Sequence, residues 1–77
     1  MTKNTGKIIQ IVGVVIDVEF DSALPAIHDA LELHHGKTKT VLEVAQHLDE
    51  KTIRAIALSS TDGLKRGDSV TATGAPI

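Results

Sequence analysis

Residues 6–20, GKIIQIVGVVIDVEF, decide the fold class. The even positions are Ile8, Gln10, Val12, Val14, Ile16, Val18 and Phe20, and the odd positions of the second half end in Asp17 and Glu19. Alternation with period two sends successive side chains to opposite faces of an extended chain, so this stretch reads as β-strand. Gly13 interrupts it near the middle, where an isolated glycine marks a bend or bulge. The spacing predicts two strands, about 7–12 and 14–20, with Ile8 and Val12 on the face opposite Ile9 and Ile11.

The rest of the chain continues in the same way. Ile, Val and Thr supply 23 of 77 residues, a composition suited to pleated sheet. Residues 21–25 are turn chemistry, and Pro25 keeps Leu24 out of the helical region. Residues 26–30 have room for one helical turn, and Leu31-Glu32-Leu33 alternates as a short strand. His34-His35-Gly36-Lys37 reads as a hairpin with Gly36 at positive φ. Residues 38–48 set Thr40, Leu42, Val44 and Leu48 against Lys39, Glu43 and His47. Asp49-Glu50-Lys51 is a polar turn before a fifth strand at 52–58. Asp62-Gly63 and Arg66-Gly67 mark a loop with Leu64 as its apolar anchor; a sixth strand at 69–73 stops at Gly74-Ala75-Pro76. Gly13, Gly36, Gly63, Gly67 and Gly74 are thus the expected structural turns. Six short strands in so short a chain favour a small closed antiparallel β-barrel, because closure removes the edges that a two-sheet sandwich would expose. The fold class expected is all-β, with residues 1–77 as a single domain.

Composition narrows the function classes. The chain has 8 Lys and Arg against 10 Asp and Glu, a formal net charge of −2, no Cys, no Trp, no Tyr and one Phe. Without cysteine there is neither a disulfide nor a thiolate metal site to support a core that is marginal at this length. No basic block points to nucleic acid or anionic lipid. No apolar run approaches the roughly 20 residues of a membrane helix, so no direct membrane insertion is expected. No stretch has the composition of a secretory or transit segment, and a cytosolic, unprocessed product is the expectation.

The first and fifth strands are apolar on both faces. Ile9 and Ile11 oppose Ile8 and Val12, while Ile53, Ala55 and Ala57 oppose Ile56 and Leu58. A barrel has one interior, so one row of each strand faces out, and an outward apolar row marks a protein contact. Ile9, Ile11, Ile53 and Ala55 are the candidate interface residues on this reading.

Catalytic and ligand chemistry is sparse. Ser60-Thr61-Asp62-Gly63 holds nucleophile-type residues but is also what a tight turn requires, since Asp and Ser bond their own backbone. His28, His34, His35 and His47 lack metal-ligand spacing: neighbours on an extended chain point apart, and Glu43 and His47 share a face only on a helix. Gly36-Lys37-Thr38 carries the end of a phosphate-binding loop, but Leu31 stands where the first glycine belongs, and no long helix can begin there. No catalytic, cofactor or metal residue is therefore expected within the chain. A barrel binding single-stranded nucleic acid needs a basic groove and stacking aromatics, and Phe20 is the only aromatic. A free-standing barrel that binds nucleic acid or a peptide is the competing reading.

Several segments in order carry a family likeness. Gly6-Lys7-Ile8-Ile9-Gln10-Ile11-Val12-Gly13, Val15-Ile16-Asp17-Val18-Glu19-Phe20 and Leu24-Pro25-Ala26-Ile27 with Asp29-Ala30-Leu31 resemble the opening of the beta subunit of F-type ATP synthases. The likeness continues through residues 42–48 (LEVAQHL), 53–58 (IRAIAL), 60–67 (STDGLKRG) and 73–77 (TGAPI). The alpha subunit of that family shares the barrel but not the Gln46-His47-Leu48 and Ser60-Thr61-Asp62-Gly63-Leu64 wording, so the resemblance is to beta.

The resemblance implies a six-stranded barrel in a ring where three alpha and three beta barrels alternate, the crown of the catalytic head. It implies alpha subunits as flanking partners, other ATP synthase subunits beyond them, and peripheral attachment to the cytoplasmic face of the bacterial inner membrane. ATP or ADP, magnesium and the catalytic residues belong, by the same resemblance, to a following nucleotide-binding domain, which the family enters after Thr73-Gly74-Ala75-Pro76-Ile77. This chain is then expected to be the crown domain alone, without the nucleotide-binding and C-terminal domains. Three positions depart from the family pattern: Val14 replaces a usual Pro, His28 a usual Tyr, and Asp49 a Gly. Asp49 is the departure expected to meet positive φ, which Asp tolerates better than most residues.

Overall fold

The computed structural model describes residues 4–77. Its strands are β1 (Asn4–Val12), β2 (Val15–Phe20), β3 (Asp29–His35), β4 (Thr38–His47), β5 (Thr52–Ala57) and β6 (Ser69–Pro76). Every neighbouring pair is antiparallel, and the order β1-β2-β5-β4-β3-β6 closes on itself as a barrel. Tight hairpins join β1 to β2 through Gly13-Val14 and β3 to β4 through Gly36-Lys37. The φ angles of 59° at Gly13 and 63° at Gly36 give these turns the twist that flanking strands require. Gly63, Gly67 and Gly74 also take positive φ.

The two longer connections cross opposite ends of the barrel, since β2 and β3 are not neighbours and neither are β5 and β6. Each carries one leucine back to the core: Leu24 in the β2–β3 loop and Leu64 in the β5–β6 loop pack against it. Between these plugs lie Ile8 from β1, Ile16, Val18 and Phe20 from β2, Leu31 and Leu33 from β3, Leu42 and Val44 from β4, Ile53 and Ala55 from β5, and Val70 from β6, all at 1% exposure or less. Every strand thus feeds one interior, the condition for a single barrel core.

Gly6 is the glycine that does not turn. A Cβ there would lie 2.7 Å from the Glu19 carbonyl oxygen and 2.8 Å from Val18 Cγ1. The bare backbone lets β1 pass close over β2 between Phe20 and Val70, its partners on either side.

The structure departs from the sequence expectations at several places. A bulge between Ile8 and Gln10 shifts the register of β1 against β2. Ile8 therefore points inward, Ile9 and Gln10 are exposed, Ile11 packs on the core and Val12 turns out, so the inward row changes phase in mid-strand. Residues 26–30 form no helical turn: β3 begins at Asp29, whose N–H donates to Ala26 O at 3.0 Å and whose carboxylate accepts from Ala26 N–H at 3.1 Å. β6 continues through Gly74 to Pro76, which pairs with Asp29 across a register shift. The Thr73 hydroxyl holds that irregularity, lying 2.8 Å from Ala30 O and accepting from Ala75 N–H at 3.3 Å. Finally, among the described residues the non-glycine residue at positive φ is His28 (78°), not Asp49. Asp49 instead uses its carboxylate, which accepts from Lys51 N–H at 2.8 Å and Thr52 N–H at 2.9 Å.

Candidate assembly surface

The outward apolar row is not the expected one. Ile53 and Ala55, placed outside by the sequence reading, are fully buried in the core, because their register partners Val18 and Ile16 on β2 already face inward. Ile11 is half-buried and packs on the core after the bulge has changed the phase of β1. Ile9 alone of the four is exposed, at 40%. The row facing out on β5 is Arg54 and Ile56, continued by Leu58 just beyond the strand.

These residues belong to a larger patch. Val12 pairs with Val15 across the first hairpin, and Val15 pairs with Ile56 across β2 and β5. Val14 at the hairpin tip is 51% exposed, Val12 61% and Leu58 51%. Backbone bonds tie these parts together: Ala57 N–H donates to Val14 O at 2.8 Å, and Leu58 N–H to Val41 O at 2.9 Å. The outside of β1, β2, β5 and β4 near the first hairpin therefore carries Val12, Val15, Val41, Ile56 and Leu58, with Val14 at the hairpin tip and Glu43 beside Ile56. On a closed barrel no free sheet edge of β2 or β5 accounts for these outward apolar side chains.

A polar band lies beside the patch. Asp17 and Arg54 are register partners on β2 and β5. Arg54 Nε donates to Asp17 Oδ1 at 3.0 Å and Nη2 to Oδ2 at 3.3 Å. The Asp17 side chain is 8% exposed against 42% for Arg54. The Asp17 carboxylate raises the Arg54 pKa, first through the hydrogen bond and then through its charge, so the guanidinium stays protonated. The pair ties β2 to β5 beside these apolar residues.

The groups weighed for chemistry are spread out. Ser60, Thr61 and Asp62 form a turn, in which Ser60 Oγ accepts from Asp62 N–H and Thr61 O from Leu64 N–H, both at 3.1 Å. His28 Nδ1 lies 3.5 Å from Glu43, His34 Nε2 lies 3.9 Å from Glu32, and His47 Nε2 lies 2.7 Å from Pro25 O. The His35 side chain lies outside what the structure describes. Among the described residues no three His, Cys, Asp or Glu side chains come together as a metal site. Gly36-Lys37-Thr38 is a hairpin turn followed by β4, not a helix N-terminus, so these residues do not form a phosphate cradle. No helix of the described residues is long and apolar enough to cross a membrane.

The outward set Val12, Val15, Val41, Ile56 and Leu58 was missed, and only Val12, Ile56 and Leu58 had a signal in the sequence, the two-faced apolarity of the first and fifth strands. On β1 that signal lacked the bulge that changes the phase of the strand, whereas on β5 Arg54 marks the outer face. The family model described as ATP synthase alpha/beta family, beta-barrel domain, matches residues 8–74, the span that holds the barrel core and this apolar surface. With that match and a closed six-stranded antiparallel barrel, the chain belongs to the ATP synthase alpha/beta family, through its β-barrel domain.

Proposed function

We propose that this barrel is the crown domain of a beta-type subunit, and that its work is assembly. The single observation carrying the assembly role is the outward apolar patch on the hairpin end of β1, β2, β5 and β4. In this reading the patch seats the barrel of a flanking alpha subunit in an alternating ring of three alpha and three beta subunits. The barrel then holds ring register while the domains beyond it open and close. Beta rather than alpha is favoured by the wording Gln46-His47-Leu48 and Ser60-Thr61-Asp62-Gly63-Leu64.

ATP or ADP, magnesium, ATP synthesis or hydrolysis and coupling to ion translocation are assigned to the parent subunit and its complex. The complex would lie on the cytoplasmic face of the bacterial inner membrane, attached through its other subunits. The barrel alone neither binds nor turns over nucleotide on this proposal. The experiment is reconstitution of the parent subunit carrying Ile56→Asp with its alpha partners, read by light-scattering mass. The expected result is a folded monomer that fails to enter the ring; a full-mass ring at normal yield contradicts the assembly role. Calorimetric titration of the 77-residue chain with magnesium ATP should give no saturable heat.

A further inference from the structure

Among the described residues, closure leaves the backbone of Ile11 open. β1 and β6 pair over Asn4–Lys7 against Ser69–Ala72. Above that the loop before β6 takes over, with Ile8 N–H donating to Asp68 O at 3.0 Å and Gly67 N–H to Ile8 O at 2.8 Å. Successive residues of an antiparallel strand turn their N–H and C=O groups to opposite sides. Phe20 N–H donates to Lys51 O and Ala57 N–H to Val14 O, which commits the even residues of β2 to the β5 side. Val15, Asp17 and Glu19 therefore bond toward β1, where their partners are Val12, Gln10 and Lys7. Ile11 lies between Gln10 and Val12, so its N–H and C=O point away from β2, to the side where β6 has ended. No described loop residue bonds them.

An open groove of about 520 Å³ lies there, lined by Gln10, Ile11, Val12 and Arg66. Among the described residues Arg66 has no carboxylate within ion-pairing distance. A free donor and acceptor on a strand edge recruit an extended chain, and a free guanidinium beside them selects one with a carboxylate. A second copy of β1 does not fit this chemistry, since its residues 9–12 are Ile-Gln-Ile-Val and bring no acid to Arg66. Nucleic acid does not fit either, because a single cation and no aromatic line the groove. We propose that the groove between Ile11 and Arg66 takes an extended, acid-bearing segment of a partner polypeptide as an added β-strand. This inference stands on the groove and does not depend on the ring reading.

The test uses the isotope-labelled 77-residue chain and two capped hexapeptides of alternating valine and threonine, one with a central aspartate and one with lysine there. In the free chain the Ile11 amide should exchange with solvent far faster than the Ile8 amide. The aspartate peptide should shift the Ile8, Ile11 and Val12 resonances saturably, slow Ile11 exchange, and bind about tenfold tighter than the lysine peptide. Arg66→Glu should reverse that preference while leaving the spectrum of the barrel core unchanged. The proposal is overturned if Ile11 is as protected as Ile8 in the free chain, if neither peptide shifts β1, or if both bind equally. Concentration-dependent shifts at Ile11 without peptide would assign the groove to self-association instead, and would also overturn it.

Discussion

The two faces of β5 both carry apolar residues and meet opposite fates. Ile53, Ala55 and Ala57 close the barrel interior, whereas Ile56 lies on its outside with Leu58 continuing the same row beyond the strand. Arg54 marks the outer row, and the strand partners agree with it. Ile53 and Ala55 stand opposite Val18 and Ile16 on one side, and Ala55 opposite Val44 on the other, all of them core residues. Ile56 stands opposite Val15 and Glu43, both half-exposed. Apolarity on the second face is then not needed for folding, and it is available for a neighbour.

The sharpest way to break this comparison is to truncate one residue on each face. Ile53→Ala should destabilise the chain by about 2–5 kcal/mol, since it removes transfer free energy and leaves a cavity in a closed core. Ile56→Ala should cost about 1 kcal/mol or less. Chemical denaturation of the two variants checks this, and equal losses would mean that the interior has been assigned to the wrong face.

Next in size is Gly6→Ala. The added methyl meets the Glu19 carbonyl oxygen, a backbone atom that cannot swing aside, so a loss of about 1–3 kcal/mol is expected. Gly36→Ala is the informative partner, because nothing lies within 4 Å of its Cβ position and only its positive φ opposes the change. A smaller loss at position 36 than at position 6, read by thermal unfolding, separates close approach from backbone conformation.

The polar band of the outer face gives a third contrast. Arg54→Met leaves the nearly buried Asp17 carboxylate without its partner and should cost roughly 1–3 kcal/mol, whereas Lys39→Met, on an exposed pair with Glu32, should cost roughly 0–1 kcal/mol. Double-mutant cycles with Asp17→Asn and Glu32→Gln check the two couplings.

The smallest effect belongs to the β4–β5 turn. Lys51 N–H holds the Asp49 carboxyl below its ordinary pKa, helped by Thr52. A carboxyl lowered on folding stabilises the fold above its unfolded pKa, and that contribution is lost as the pH falls through the folded value. Stability measured against pH should therefore drop on the acid side, and Asp49→Ala should reduce the drop without changing its sign.

Much of this fold was legible because it is local. The alternation of Ile16, Val18 and Phe20 against Asp17 and Glu19 and the turn at Asp62-Gly63 depend on near neighbours, and so does Leu64 as a loop anchor. The inward row of β1 was not legible. Ile8, Ile9, Ile11 and Val12 are all apolar, so a bulge at Ile9 changes the phase of the strand without leaving a polar residue in the wrong place. The exterior of β5 did have a sequence signal, since Arg54 shares the face of Ile56, but the β2 partners of that face lie more than 30 residues away in the chain. Gly74 and Pro76 signal a stop in the sequence, yet Thr73 and Asp29 provide the bonds that carry β6 through to Pro76. The open backbone at Ile11 follows only from knowing where β6 ends and the loop begins.

The central claim, one buried and one neighbour-facing side of β5, has a direct test, because the chain contains no cysteine. Ala55→Cys and Leu58→Cys place a single thiol on each face, and alkylation read by mass spectrometry reports its access in the isolated chain and in the assembled ring. The account predicts that position 55 resists alkylation in both states, while position 58 reacts quickly in the isolated chain and becomes protected on assembly. Rapid alkylation at position 55, or undiminished alkylation at position 58 in the ring, would contradict it.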